Sequence, residues 1–137
     1  MRTYSLAETE ESVITSDMTL IDGVVGMKQL LALAAAQRPD GLFSASAFSL
    51  TGALQTLKEH GLRVPQDMLL GGFSKEIFTS FTEPRLTLVD QRSKLLGQEI
   101  VRLFLKIREA GAANFQAHRV VLPPNLFIRE SSTRPPA

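Results

Sequence analysis

The hydrophobic and polar positions between residues 38 and 74 predict a strand, a helix and a second strand. An apolar run at 41–43 ends in small residues, and a second run at 68–70 ends in Gly-Gly-Phe-Ser. The apolar residues between these runs recur at helical spacing: Leu50, Ala53, Leu54 and Leu57. Two buried strands joined by a helix predict a parallel pair. The carboxyl ends of such strands are where open parallel sheets bind ligands.

The rest of the chain alternates helical and strand patterns in the same way. Helices are predicted at 19–37, with Ser16 or Asp17 as N-cap, and at 92–109, where the apolar stripe is broad. The shorter predicted elements are a strand at 13–15, a helix or turn at 75–81, and strands at 86–89, 119–122 and 126–129. The alternation indicates an α/β protein with a mostly parallel sheet.

Composition and charge restrict the class of protein but do not indicate a particular reaction or ligand. The chain has 137 residues, a net charge of +1 and no cysteine, which predicts one domain without disulfides. No apolar run reaches the ~18–20 residues of a membrane helix, and the first residues lack a secretory apolar region. We therefore expect a cytoplasmic protein with no membrane partner. The balanced charge argues against a nucleic-acid-binding surface in this chain itself.

Six segments in order carry a family resemblance. They are PDGLFSAS at 39–46, TGALQTLKEHGLRVPQDM at 51–68, GGFS at 71–74, PRLTLVDQ at 84–91, LGQEIVRLFL at 96–105 and VVLPPNLFIRES at 120–131. Together they resemble the C-terminal part of the effector-binding domain of LacI/GalR-family transcriptional regulators. The resemblance covers residues 17–132.

The resemblance implies a fold and a division of the chain. It implies a three-layer α/β fold with a mostly parallel sheet, a partial periplasmic-binding-protein-like type I fold that corresponds to the C-terminal lobe. Residues 1–16 would be a poorly defined N-terminal segment, 92–122 would resemble an element of a missing N-terminal lobe, and 133–137 would be a mobile tail. The DNA-binding headpiece of the family has no counterpart in this chain.

The resemblance also places a ligand site at the strand ends. The implied ligand-binding residues are Ser46, Ala47, Phe73, Ser74 and Gln91. The family usually carries Asn-Asp at Ser46-Ala47 and Asp at Ser74, so the loss of both carboxylates weakens the expectation of an ordinary sugar ligand. For three of these residues a structural role is an alternative: Ser46 as a helix N-cap, Phe73 in the core, and Gln91 as the end of a strand.

The resemblance also implies a subunit interface next to the helix that contains Leu50, Ala53, Leu54 and Leu57. Its residues would be Thr51, Leu54, Lys58, Phe78, Phe81 and Thr82. For Leu54 and Phe78, periodicity alone favours the intrachain core at least as strongly as the interface. Gly52 lies inside the predicted helix at a cost of about 1 kcal/mol against Ala, which predicts close approach of another helix.

No catalytic, metal or cofactor site is predicted. Gly71 and Gly72 lack the rest of any phosphate-loop motif, and Ser74 does not lie in a G-x-S-x-G elbow. His60 and His118 have no metal ligand at suitable spacing, and His60 is explained by the end of a helix. Glu8, Glu10 and Glu11 form a solvated acidic run.

These observations predict an effector-sensing and dimerisation module of a transcriptional regulator. The expected partners are a small-molecule effector, a sugar or related metabolite, and a second copy of the chain. DNA binding would require the headpiece, and effector binding by this chain alone would be weak or absent. The alternatives are a fragment of a transport-type sugar-binding protein or an α/β enzyme. The apolar stripe of helix 92–109 predicts self-association, because each exposed Leu or Phe costs about 1.5–3 kcal/mol.

Overall fold

Two parallel strands joined by a helix form the centre of the molecule, as the sequence predicts. In the computed structural model, which describes residues 12–111 and 119–134, β1 is Gly41–Ser44 and β2 is Leu69–Phe73. The helix between them, α2, is Ala47–Glu59. Ser44 pairs with Gly72 across the two strands.

Two further strands complete a four-stranded sheet. β3, Thr87–Asp90, is parallel to β2, and β4, Asn125–Phe127, is antiparallel to β3. The sheet order is β1-β2-β3-β4. The mostly parallel open sheet of an α/β protein is therefore confirmed, with one antiparallel strand at its edge.

The hydrophobic core lies between the sheet and two helices. The first helix, α1, is Leu20–Ala32 and packs on α2. The core residues are Met27, Leu30, Leu50, Ala53, Leu54, Leu57, Met68, Leu70, Leu86 and Leu88. All four apolar positions predicted on α2 belong to this core. The opposite face of the sheet carries Phe43, which is 63% exposed where a three-layer fold would place helices.

Two glycines let α1 and α2 approach closely. A Cβ atom at Gly52 would lie 2.1 Å from the Leu20 carbonyl oxygen, and one at Gly23 would lie 1.9 Å from the Ser49 carbonyl oxygen. Neither position has room for a side chain without separating the helices. The predicted role of Gly52 is confirmed.

The ends of α1 differ from the prediction. Thr19, and not Ser16 or Asp17, is the N-cap. Its hydroxyl accepts a hydrogen bond from the Asp22 amide, and the Asp22 carboxylate accepts one from the Thr19 amide, which together form a capping box. The helix ends at Ala32, and a 3₁₀ turn at Ala35–Gln37 follows, so the continuous helix predicted to 37 is wrong.

The C-terminal segment completes the hydrogen bonds that the sheet leaves open. The Ser131 hydroxyl is fully buried. It donates to the Leu70 carbonyl oxygen at 2.7 Å and accepts from the Thr87 amide at 2.8 Å. A 3₁₀ turn, Glu130–Ser132, holds it there. Beyond it, Arg134 donates to the Pro65 carbonyl oxygen at 3.1 Å.

Two predicted strands are absent. Residues 13–15 and 119–122 are described without strand structure, and β4 begins at Asn125 where the prediction has 126. A strand forms only where a neighbouring strand accepts its hydrogen bonds, and neither segment has one among the described residues. The predicted turn at 75–81 is confirmed as a 3₁₀ helix, Ile77–Ser80. The acidic run (Glu8, Glu10 and Glu11), His118 and residues 135–137 lie outside the described residues.

The last helix, α3, is Ser93–Ala110 and has no buried residue. Its amphipathic pattern is as predicted, yet Ile100, Val101 and Phe104 are each more than half exposed. An apolar stripe of this size on a helix normally packs against another element. The placement of 92–122 in a second lobe stays a prediction, and the exposure of α3 is compatible with it.

Candidate functional site

Three strand ends meet at one edge of the sheet. Ser44 pairs with Gly72, and Phe73 pairs with Val89, in parallel register. The chain therefore leaves β1, β2 and β3 on the same side, within two residues of Ser46, Ser74 and Gln91 respectively. We call this side the carboxyl edge. The predicted parallel arrangement of these strand ends is confirmed.

Ser46 has a structural role at this edge. Its hydroxyl oxygen accepts a hydrogen bond from the Phe48 amide at 3.2 Å, which caps α2. The same hydroxyl donates to the Met18 carbonyl oxygen at 2.9 Å. The N-cap alternative is confirmed, and contact with a ligand stays a prediction. Ala47 is only 1% exposed, so little of it is available to a ligand.

The hydroxyls of Ser44 and Ser74 also donate hydrogen bonds within the chain. The Ser74 hydroxyl donates to a Glu76 carboxylate oxygen at 3.1 Å, and the Ser44 hydroxyl donates to the Ser46 carbonyl oxygen at 2.9 Å. Ser74 adopts φ +74°, a left-handed backbone conformation, and its amide donates to Val89 of β3. The turn after β2 is thereby held against the end of β3.

A charged and aromatic cluster beside β3 and β4 was not predicted from the sequence. The Lys75 ammonium lies 4.2 Å from the centre of the Phe127 ring and 3.9 Å from an Asp90 carboxylate oxygen. The Arg129 guanidinium lies 5.8 Å from the same ring. Since Phe127 comes from the antiparallel strand β4, only the tertiary fold brings these residues together. No local motif marks Lys75 as part of a site.

Gln91, the residue after Asp90 in the sequence, is exposed. The preceding Asp90 accepts a hydrogen bond from the Arg92 amide at 2.8 Å, and Arg92 adopts φ 58°. This turn redirects the chain from β3 into α3. Phe73 is half-buried at the end of β2, and its contact with a ligand stays a prediction.

The predicted subunit-interface residues do not form one exposed surface. Leu54 is 4% exposed and belongs to the core, so the intrachain alternative holds for it. Phe81 is 82% exposed, and Lys58 is exposed as well. Thr51 and Thr82 are half-buried, with hydroxyls donating to backbone carbonyl oxygens.

An aromatic pair extends the exposed part of this surface. The rings of Phe48 and Phe78 lie 5.0 Å apart, and Phe48 is half exposed. Ile77, beside Phe78, is 84% exposed. Neither Phe48 nor Ile77 was predicted to belong to the interface.

Of the three carboxylates with lowered pKa values, Asp67 and Glu130 lie away from the carboxyl edge, whereas Asp22 lies in the first turn of α1, close to the hydrogen bond between Ser46 and Met18. The Arg63 side chain hydrogen-bonds to Asp67 and lowers the pKa of that carboxyl, and Arg85 lowers the pKa of Glu130 in the same way. The pKa of Asp22 is lowered by its hydrogen bond from the Thr19 amide. Each shift is explained by a structural hydrogen bond, and none indicates a catalytic group.

Within the described residues, no three His, Cys, Asp or Glu side chains are grouped as a metal site would require. None of the helices in that part of the chain has the length and apolar character needed to span a membrane.

The family follows from comparison with known proteins. The periplasmic binding protein-like domain matches residues 2–132, and the chain belongs to that family. Among its relatives is the HTH-type transcriptional regulator CelR of Thermobifida fusca, 34% identical over 125 residues, or 90% of this chain and 36% of the regulator. The HTH-type transcriptional repressor PurR of Haemophilus influenzae is 33% identical over 111 residues, 80% of this chain and 32% of the repressor.

Solved structures agree with this assignment. A complex of transcriptional regulator CelR with cellobiose superposes with a TM-score of 0.79 at 32% identity, over 91% of this chain and 37% of that one. A LacI-family regulator of Lactobacillus casei with bound glucose gives 0.80 at 26% identity, over 96% and 46%. A LacI-family regulatory protein of Chloroflexus aggregans gives 0.87 at 24% identity, over 97% and 47%, and shows the fold alone.

The relatives are transcriptional regulators, and the chain matches their effector-binding domain. The resemblance to the LacI/GalR family is confirmed. The chain spans about a third of the length of the curated relatives, with 36% and 32% covered in the two named.

Proposed function

We propose that this chain senses a small-molecule effector at the carboxyl edge and contributes to dimerisation of a LacI-type regulator. The observation that carries the proposal is the parallel register, which sets Ser46, Ser74 and Gln91 at one edge of one sheet. Ligands of open parallel sheets bind beyond this edge. The relatives solved with cellobiose and with glucose support a small polar molecule as the class of ligand.

The proposed mechanism is a shift between conformations. An effector that binds one conformation better than another changes their populations by its difference in affinity. The carboxyl edge provides one wall of the binding site. We expect weak binding by this chain, with a Kd on the order of 1 mM, because one wall supplies few contacts.

Amide chemical shifts test the position of the site. Titration of the isotope-labelled chain with cellobiose, glucose, nucleosides and phosphorylated sugars should shift amides near Ser74 and Gln91. Gln91→Ala should weaken that binding, because the side chain is exposed at the edge and holds no element together. Gln66→Ala, an equivalent change at an exposed residue before β2, should leave it unchanged. Shifts confined to the opposite edge of the sheet, or none, would contradict the proposal.

The proposed dimer surface consists of Phe48, Ile77, Phe78, Phe81, Lys58 and Thr82. Its exposed apolar side chains support an interface, because large apolar residues seldom gather on a surface without a partner. Thr51 lies on α2 beside this surface, whereas Leu54 serves the core. We propose that two copies associate through this surface.

Sedimentation of variants tests this surface. Phe81→Ser should raise the dimer dissociation constant about tenfold or more, because an aromatic anchor at an interface typically contributes over 1.4 kcal/mol. Phe43→Ser, an equally drastic change at an exposed ring on the other side of the sheet, should have little effect. Equal effects of the two substitutions would argue against this choice of interface.

Specific DNA binding by this chain is not part of the proposal. Its net charge is +1, with both signs interspersed. Such a surface lacks the basic patch that phosphate contacts require. An electrophoretic shift of an operator-like palindrome by this chain alone would contradict this expectation.

A further inference from the structure

We infer that β1 pairs with β1 of a second copy of the chain, so that the two sheets join edge to edge. β1 lies at one edge of the sheet, and within residues 12–111 and 119–134 its only neighbouring strand is β2. This contact is separate from the proposed dimer surface, which lies on α2 and on residues 77–82.

Two residues of β1 direct their backbone groups away from the sheet. The Leu69 amide donates to the Asp40 carbonyl oxygen at 2.9 Å, and Gly41 is the residue that lies opposite Leu69. In a parallel pair, residues that bond to the neighbouring strand alternate with residues whose amide and carbonyl groups point away from it. Leu42 therefore bonds to β2, whereas the N–H and C=O groups of Gly41 and Phe43 form an open edge.

This edge lacks the features that usually prevent one sheet from pairing with another. The strand, Gly-Leu-Phe-Ser, contains no charge and no proline, and both Gly41 and Phe43 are exposed. The strand at the other edge, β4, follows directly on Pro123 and Pro124. Because charge and proline protect natural sheet edges, β1 is the edge that can accept another strand.

The pattern of open groups fits a second copy of the same strand. Two identical strands related by a two-fold axis are antiparallel. When Leu42 lies opposite Leu42 of the second copy, Gly41 of each copy lies opposite Phe43 of the other. Each of these two opposed pairs exchanges two hydrogen bonds, so every open N–H and C=O group of both strands is used.

Charges and side chains agree with this register. Asp40 lies opposite Ser44 of the second copy, and Arg38 lies opposite Ser46 of that copy, so no charge faces a like charge. Leu42 is partly buried and packs against the core, so the second Leu42 beside it would extend the same apolar layer. The contact is small, with four residues of β1 in each copy. We therefore expect a Kd on the order of 0.1 mM.

Amide hydrogen exchange tests the pairing in the full 137-residue chain. Raising the protein concentration from about 0.05 mM to about 1 mM should slow exchange of the Gly41 and Phe43 amides about threefold, because the monomer fraction falls by that factor at a Kd of about 0.1 mM. The Leu42 amide, which bonds to β2, should keep its rate and serves as the internal control. Unchanged rates at Gly41 and Phe43 would overturn the inference.

Single cysteines test the register, since the chain has no cysteine of its own. Leu42→Cys should form a disulfide-linked dimer on mild oxidation, because opposed Cα atoms in such a pair lie about 4.5 Å apart, within disulfide range. Phe43→Cys should cross-link at least about fivefold more slowly, because its counterpart lies on a diagonal about 7–8 Å away or farther. Equal rates would overturn the register. Slowed exchange of the Gly41 and Phe43 amides without cross-linking of Leu42→Cys would show that a strand other than β1 covers the edge, which overturns the choice of partner.

Two changes at Phe43 in the Leu42→Cys variant separate the backbone from the side chain. Phe43→Pro removes the open amide and leaves the bonds to β2, as edge strands allow, so cross-linking should slow about tenfold or more. Phe43→Ser removes the ring and keeps the amide, so cross-linking should persist. Undiminished cross-linking with Phe43→Pro would overturn pairing through the backbone.

Discussion

At the scale of single residues, buried hydroxyls of the C-terminal segment complete the sheet. The Ser131 hydroxyl lies between β2 and the first residue of β3, since it bonds both Leu70 and Thr87. Thr87 in turn uses its own hydroxyl to accept from the Arg129 amide at 2.8 Å. Side chains thus replace backbone partners at a point where the two strands differ in length.

Ser131→Ala tests the contribution of this hydroxyl. Removing it leaves the buried Leu70 carbonyl oxygen and Thr87 amide without their partner, at a cost of about 1–3 kcal/mol. Urea denaturation should show that loss. Ser80→Ala, at an exposed serine, should change stability by less than about 0.5 kcal/mol. Similar midpoints for the two variants would show that the hydroxyl contributes nothing.

At the scale of elements, the three helices differ in whether another element packs against them. Glycines on α1 and α2 bring the two backbones together, while α3 has an apolar stripe and no buried residue. Amphipathic pattern therefore predicts that a helix forms, and it does not predict what covers the helix. A Gly→Ala substitution should have opposite effects on stability in α2 and in α3, so the difference between the helices can be measured.

Gly52→Ala and Gly97→Ala form a matched pair. Both substitutions raise helix propensity by up to about 1 kcal/mol. At Gly52 the added Cβ would lie 2.1 Å from a backbone oxygen of α1, so overpacking should give a net loss of about 1–3 kcal/mol. At Gly97 nothing lies within 4 Å, so stability should rise. A stabilised Gly52→Ala variant in urea denaturation would contradict the close contact.

The exposed stripe of α3 predicts self-association. Phe104→Ser should reduce the average mass measured by light scattering, because an exposed Phe buried by association contributes about 1.5–3 kcal/mol. Arg108→Ser, on the same helix, removes a polar side chain and should not reduce it. A purely monomeric wild-type chain at high concentration would contradict the prediction.

At the scale of the whole molecule, three hydrogen-bonded carboxylates make the stability of the fold depend on pH. Asp22, Asp67 and Glu130 have pKa values below their ordinary 3.8, 3.8 and 4.5 because each carboxylate accepts hydrogen bonds in the fold. The unfolded chain therefore binds more protons between the folded and unfolded pKa values. The stability these groups provide is present above the unfolded values and is lost as pH falls through the folded ones.

Urea denaturation across pH should show this coupling. The midpoint should be nearly constant from about pH 7 to 5 and fall below about pH 4.5 as the three carboxylates protonate. Glu130→Gln should flatten part of that fall, and added salt should weaken the effect because the Arg85–Glu130 pair is exposed. Glu83→Gln, at an exposed glutamate outside the ion pairs, serves as control. A midpoint that rises on acidification would contradict the sign of the coupling.

The sequence by itself determined the β1-α2-β2 unit, the cap at Ser46 and the use of Gly52. These features depend on spacing within one segment, and helix and strand periodicities are local properties. It did not determine that 119–122 lacks strand structure, because a strand depends on a neighbour elsewhere in the chain. Only the tertiary structure placed Phe127 of β4 beside Lys75, because antiparallel pairing with β3 brings together residues that no motif connects. For the same reason only packing decided that Leu54 of α2 is buried while the apolar stripe of α3 is exposed.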